Sequence, residues 1–381
     1  MHLFRKIMVL FFVWTFLSSF LLISPNAQTV LFSEINSNNN SDDLLELVFS
    51  GDIMGHMPQI NAAYNKAKGI YDFNICFEQV NSYYKKADFA VANLEVTLAG
   101  PPYSGYPNFS SPDALLAALK NAGYNVILTA NNHTMDRSKR GLERTLNKII
   151  EHDLHFAGSY YNKAQRDSVY PLMLHAKGLK IAMLNCTYGT NGIPVIAPNL
   201  VNMIDTVEIK RDIATAKARG ADFIVMTIHW GDEYQLQANN TQKQLAAFFV
   251  RNDIGLVVGS HPHVVQNVDF MMNSQNDTVP IFYSLGNSIS NQRKPHTDGG
   301  IMASVRINPK TKKIVSTAFL PVYVHKGILN AKYQYHLIPT VDYIANNDKF
   351  KISKADSTQL MFFHNETVKR LANVQMMETK K

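Results

Sequence analysis

Cysteine is nearly missing from this chain of 381 residues, which carries only Cys76 and Cys186. So little thiolate argues against the closed structural zinc sites that cysteine usually builds. No cysteine stands directly behind the apolar N-terminal run, which excludes a lipid-anchored precursor. The two thiols could bridge in an exported chain, and their positions do not decide it. Charge is also sparse, at 18% of residues and a net +7. The basic residues are scattered, apart from small clusters at 310–313 and 380–381. No basic stripe interleaved with aromatics appears, so a solvated surface is expected and no nucleic-acid partner. Internal repeats are absent too. With 46% hydrophobic residues the composition is that of a globular chain, long enough for one large domain or two ordinary ones.

The first residues form a separate region. Arg5 and Lys6 precede an uncharged, largely apolar run from Ile7 to Ile23, and a small-residue stretch ends at Ala27-Gln28. That order is the order of an export signal. Residues 1–28 are therefore expected to be a signal peptide cleaved near Ala27, or else an uncleaved membrane anchor. The polar tract within 29–43 reads as a linker, and the protein is expected to work exported, in the periplasm or anchored facing away from the cytoplasm.

Beyond the linker, apolar strands alternate with helically spaced segments. The strands are Leu44–Phe49, Asp88–Glu95, Val126–Leu128, Phe223–Ile228, Ile254–Val258 and Ile281–Leu285. Helices are expected at 60–67, 77–86, 112–122, 141–152, 209–219 and 242–252. Further expectations are a hairpin-like pair at 170–174 and 180–185 and a β-hairpin capping the core at 303–307 and 315–324. A terminal helix at 355–371 completes the chain. This alternation indicates an α/β sheet architecture, with a main domain over 44–325 and a C-terminal extension over 326–381.

Most of these strands stop at residues able to bind a metal. Asp52 ends the first, Asn93 and Glu95 the second, and Asn132 and His133 follow the third. His229 ends another, and Ser260-His261-Pro262-His263 ends the next. Strand C-termini meet along one edge of an α/β sheet, where such folds place their chemistry. Carboxylate, imidazole and amide together suit one or two divalent ions of manganese, zinc or iron and do not choose among them. His56 is a reserve donor, and Asp136 is either a helix-terminal charge or the partner that orients His133. Trp230 could pack or stack on substrate. Asn93, Glu233 and Asn287 are possible additions to the site. Tyr103, Tyr106 and Tyr188 sit in loops without readable chemistry and could stack on a sugar ring or simply pack.

In combination, Gly51-Asp52, Asn93-Leu94-Glu95, Asn131-Asn132-His133, His229-Trp230-Gly231 and Gly259-Ser260-His261-Pro262-His263 resemble the CapA family. That family is named for capsule and poly-γ-glutamate synthesis and lies within the calcineurin-like metallophosphoesterases. The resemblance covers about residues 44–305. It implies a four-layer α+β sandwich, with two packed mixed sheets flanked by helices and the site at the strand ends. It further implies one ion held by Asp52, Glu95 and His263, and a second by Glu95, Asn132, His229 and His261. His133 would act on the leaving group, with Asp136 behind it. The implied partners are an anionic envelope polymer or a phosphorylated substrate, other capsule-synthesis proteins, and the cell membrane if the N-terminus stays uncleaved. Met54 stands where the superfamily has a histidine, which leaves the first ion one ligand short unless His56 swings in. Glu95 replaces the usual aspartate. Ser138 stands where a glycine is common, and Ser288 where an aromatic is common.

Overall fold

The computed structural model describes residues 43–329 and 332–378. The expected export segment 1–28, nearly all of the 29–43 linker and the terminal lysines lie outside them. Among the described residues no helix is long and apolar enough to cross a membrane.

Side-chain alternation along the first strands sorts their residues into two cores. These strands are β1 (Leu45–Ile53), β2 (Phe89–Leu94), β3 (Val126–Leu128) and β4 (His155–Ala157). Leu45, Leu47, Phe49, Phe89, Val91, Val126 and Leu128 face one way, into a core shared with a second sheet. Val48, Ala90, Ala92 and Ile127 face the other way and pack on Leu115, Leu116 and Leu119 of helix α1 (Ala114–Ala122). The second sheet contains β5 (Leu172–Ala176), β6 (Leu179–Thr187), β7 (Phe223–His229), β8 (Leu256–Ser260), β9 (Val268–Met272) and β10 (Thr278–Phe282). Its parallel strands β6, β7, β8 and β10 are apolar nearly throughout, as expected where both faces are covered. Its outer face takes Ile209, Ile213 and Ala216 from one helix and Ala246, Phe249 and Val250 from another. Helix, sheet, sheet and helix therefore stack as a four-layer sandwich.

The sheets are mixed. In the second the order is β9-β10-β8-β7-β6-β5, with β5 and β9 antiparallel to their neighbours. The first is extended by β11 (Asn287–Ile289), β12 (Gly299–Asn308), β13 (Lys313–Leu329) and β14 (Lys332–Pro339). The hairpin expected at 303–307 and 315–324 forms, β12 pairing antiparallel with β13, and it continues this sheet. β12 pairs antiparallel with β1, from Leu45↔Ile307 to Phe49↔Ala303. That register turns Ala303, Val305 and Ile307 into the inter-sheet core, so the pairing buries them more completely than a cap would. β13 runs through position 325, and β14 pairs along it. The helix expected at 77–86 breaks into two short turns, Asn74–Phe77 and Asn81–Tyr84, and the one expected at 60–67 begins and ends earlier, at Met57–Ala63. Cys76 and Cys186 are both buried and free, in different cores.

Two glycines allow the close approaches that shape the site edge. A Cβ on Gly51 would lie 2.1 Å from the Gly286 carbonyl oxygen, and one on Gly259 2.0 Å from that of Tyr283. Gly51 sits where the β1–β2 register shifts between Phe49 and Asp52, an irregularity that re-aims Asp52. Ser138, where the family pattern favours glycine, has a φ of 55°, a left-handed conformation that glycine adopts without steric cost. Gly259→Ala is expected to lower unfolding free energy by about 1–3 kcal/mol, the usual scale of overpacking. Urea denaturation would show this as a reduced midpoint at unchanged slope.

Candidate metal centre

Strand register builds the site before any side chain is considered. Asp52 of β1 lies level with Asn93 of β2 on one side and Asn287 of β11 on the other. Across the sandwich, His229 at the end of β7 lies level with Ser260 of β8. The loops leaving these ends bring in Glu95, Asn131, Asn132, His133, His261 and His263. The turn after β8 is tightly bent: His261 has φ 101° and His263 φ 58°, conformations that cost a non-glycine residue energy. Trp230, Tyr283 and the backbone around Gly259 pack beneath the turn.

The donors converge and are buried. Asp52, Glu95 and His229 are 0% exposed, and His261 and His263 are 4% and 1%. One set of mutually close donor atoms joins Glu95, His261 and His263, and another joins Asp52, Glu95 and His229, all within 4.8 Å. Glu95 is common to both. Its Oε1 lies 3.6 Å from His229 Nε2 and 3.8 Å from His263 Nε2. Asn132 Oδ1 lies 2.9 Å from His229 Nε2, and Asp52 Oδ2 lies 3.2 Å from His263 Nδ1.

Surrounding residues orient the donors. Asn93 donates to Asp52 Oδ1 at 2.8 Å, and the His261 backbone N–H donates to Asp52 Oδ2 at 3.2 Å. Ser260 Oγ lies 2.8 Å from His229 Nδ1, which turns Nε2 toward Asn132 and Glu95. Asn287 Oδ1 lies 3.1 Å from His263 Nδ1, and its amide nitrogen donates to the Thr297 carbonyl. Asn131 donates to the Leu94 carbonyl and accepts from the His133 N–H. Such outer contacts fix which ring nitrogen faces an ion.

Beside this cluster, His133 Nδ1 meets Asp136 Oδ2 at 2.7 Å, and the same oxygen accepts the Phe109 N–H at 2.7 Å. Phe109 packs edge-on against the rings of both His133 and His56. Of the further candidates, Glu233 stands at the rim, its Oε1 4.0 Å from His263 Nε2. Trp230 is a packing residue: it is 1% exposed, donates its indole N–H to the Tyr283 carbonyl at 2.9 Å and stacks on Tyr283. His56 does not join either donor set. Its Nδ1 is 3.1 Å from Gln59 Oε1 and 3.3 Å from the Asn291 nitrogen. Met54 is buried within the apolar core and brings no donor.

Phe109, Asn131 and Ser260 were not legible as site residues. Phe109 lies in a loop with no chemical pattern. Ser260 and Asn131 adjoin motif residues, yet only strand pairing and loop folding aim their side chains.

Electrostatics supports a cation. Both Glu95 carboxylate oxygens and His261 Nδ1 are buried without any hydrogen-bond partner. Burial raises the Glu95 carboxyl well above the usual carboxylate range, and the negative charges of Asp52 and Glu233 push the same way. Burial also lowers His261 to about 4, aided by His263, and takes His229 well below its ordinary value. Neutral imidazoles around an uncompensated carboxylate are a donor set suited to divalent ions.

The signs give a pH prediction. The lowered histidine values cost stability as pH falls from about 6.5 toward 4, because the unfolded state binds the protons more readily. The raised Glu95 value costs stability as pH rises above its ordinary range, because the buried group must then ionise. Added Mn²⁺ should therefore raise the thermal midpoint more at pH 7.5 than at pH 5. At a hundred times the Kd the gain is about 2.7 kcal/mol, or roughly 4 °C. Glu95→Gln should raise the midpoint of the metal-free protein at pH 7.5 and remove most of the response to Mn²⁺, as followed by differential scanning calorimetry.

Comparison with known proteins places the chain in a family. A family model described as bacterial capsule synthesis protein PGA_cap matches residues 46–292. Capsule biosynthesis protein CapA of Bacillus anthracis is 26% identical over 304 residues, covering 76% of this chain and 70% of that protein. PGA biosynthesis protein CapA of Bacillus subtilis (strain 168) is 28% identical over 264 residues, covering 66% of this chain and 65% of its own length, just under two thirds. Among solved structures, the Haemophilus influenzae NAD nucleotidase aligns with a TM-score of 0.47 at 12% identity, over 88% of this chain and 57% of that one. A Mycoplasma pneumoniae phosphatase aligns at 0.43 and 17% identity, over 74% of this chain and 94% of that one. With the family model spanning most of the two-sheet core and every strand end that carries a donor, the chain belongs to the bacterial capsule synthesis (PGA_cap, CapA) family.

Proposed function

We propose that this protein is an exported, metal-dependent hydrolase of capsule or poly-γ-glutamate synthesis, cutting a phosphoester or another bond of an envelope polymer or its precursor. The observation that carries the reading is the pairing of two features. A buried carboxylate with both oxygens unpartnered lies among neutral imidazoles, and a His133–Asp136 couple at 2.7 Å stands beside them. The apolar segment at residues 7–23 and the polar linker behind it support the export part of this reading.

Glu95 would be shared between the ions, with Asp52, His229, His261, His263 and Asn132 completing the shells. Bound divalent ions supply positive charge against a phosphate and lower the pKa of a nearby water. The remaining work belongs to the chain. Asp136 holds His133 by Nδ1, which leaves Nε2 to give a proton to a leaving oxygen or to stabilise its charge. The Phe109 ring against His133 keeps the imidazole in that orientation and partly shields it from water.

One observation favours a second reading, a non-catalytic metal domain that holds a polyanion. Met54 lies in the apolar core and His56 is engaged by Gln59 and Asn291, so the Asp52 side has fewer donors than the superfamily pattern. Elemental analysis with phosphomonoesterase and phosphodiesterase assays in Mn²⁺, Zn²⁺ and Fe²⁺ separates the two. Under the hydrolase reading, His133→Ala keeps its metal and loses about 10²–10⁴-fold in kcat. His261→Ala loses metal as well as activity. Wild type and His133→Ala equally inert with metal bound would sink the hydrolase reading and leave the binding domain.

A further inference from the structure

Tyr188 follows the last residue of β6, and its backbone N–H donates to the His229 carbonyl at 3.0 Å. Its ring lies parallel to the His229 imidazole, 7° apart with centroids at 6.2 Å, and contacts the His261 ring at 4.6 Å. Yet the residue is 47% exposed. An aromatic that serves packing behaves like Trp230, which is enclosed by Tyr283 and Phe249 with its polar atom satisfied. Tyr188 instead spreads one face over two candidate ligands and leaves the rest in solvent. Burial, aided by the negative charges of Glu95 and Glu233, pushes its phenol up to about 12.

The chemistry of the cluster explains what a hydroxyl adds. Asp52, Glu95, Glu233, the Asn132 oxygen and the imidazole lone pairs are all acceptors, and cations would satisfy them. An anionic substrate held over those cations still needs uncharged donors for its outward oxygens. His133 offers one on the Phe109 side only when it carries a proton on Nε2, because Asp136 takes Nδ1. Tyr188 is the matching O–H donor on the side of His229 and His261.

We propose that Tyr188 is a positioning residue for an oxyanion substrate of the phosphate class. Its hydroxyl donates a hydrogen bond to an oxygen of the bound anion, and its ring screens the His261 imidazole from water. The inference rests on the metal-centre reading above and names the substrate contact within it. It also separates Tyr188 from the other loop tyrosines: Tyr106 is 75% exposed beside Phe109, and Tyr103 packs on Tyr71.

The test is calorimetric titration of inorganic phosphate into full-length protein loaded with Mn²⁺, with metal content measured on the same samples. The variants are Tyr188→Phe, Tyr188→Ala and, as a control on an exposed strand, Tyr333→Phe. Tyr188→Phe is expected to keep the wild-type metal content and weaken phosphate about tenfold, the scale of one hydrogen bond to a charged partner. Tyr188→Ala should weaken phosphate at least as much, and Tyr333→Phe should match wild type. Phosphate should also produce a tyrosine ultraviolet difference band in wild type that Tyr188→Phe lacks, a signal that a purely packing role would not give. If wild type binds phosphate and Tyr188→Phe binds it within about twofold, this proposal alone is overturned. If metal-loaded wild type binds no phosphate, the phosphoester reading fails and takes this inference with it.

Discussion

A buried carboxylate without a hydrogen-bond donor governs the architecture at the strand ends. Glu95 is fully enclosed, both its oxygens lack partners, and Asp52 stands beside it. Isolated ionised carboxylates are too costly to bury, so they neutralise or acquire a positive partner. Among the described residues no Lys or Arg pairs with Glu95; its neighbours include the imidazoles of His229 and His263, and burial keeps His229 and His261 neutral. A divalent cation resolves both conditions at once. The arrangement suits a divalent ligand, and the buried carboxyl carries a stability cost without one.

Holding those donors requires backbone that ordinary packing would avoid. His261 and His263 both adopt left-handed conformations, and β1 is irregular at Ser50-Gly51 just before Asp52. Gly51 and Gly259 permit carbonyl contacts that any Cβ would block. Strain of this kind persists only where the surroundings overdetermine it. Here the surroundings are two fully packed cores and the Trp230–Tyr283 stack directly under the turn.

The Met54 position shows how a motif departure is absorbed. A thioether at that place joins the apolar cluster and keeps contact with Ser290, so the fold gains packing where a donor would otherwise sit. His56 does not compensate, because the first turn of the following helix and Asn291 already engage it. The donor sets that remain depend more heavily on Glu95, whose longer side chain reaches toward both histidine groups.

Much of this was legible in the sequence. Apolar runs ending in Asp52, Glu95, Asn132, His229 and His261 declared a layered α/β chain with a polar edge, because alternation and strand ends are local properties. The identity of the donors was local for the same reason. Tertiary structure alone decided how they group, since Asp52, Asn93 and Asn287 come level only through long-range strand pairing. It also decided that 303–307 continues the first sheet, that Trp230 packs inward, and that Cys76 and Cys186 stay apart. Phe109 and Tyr188 were indistinguishable from ordinary loop aromatics until their loops folded over the histidines. Side-chain type is written residue by residue, whereas proximity between strands far apart in the chain is set by burial of the whole core.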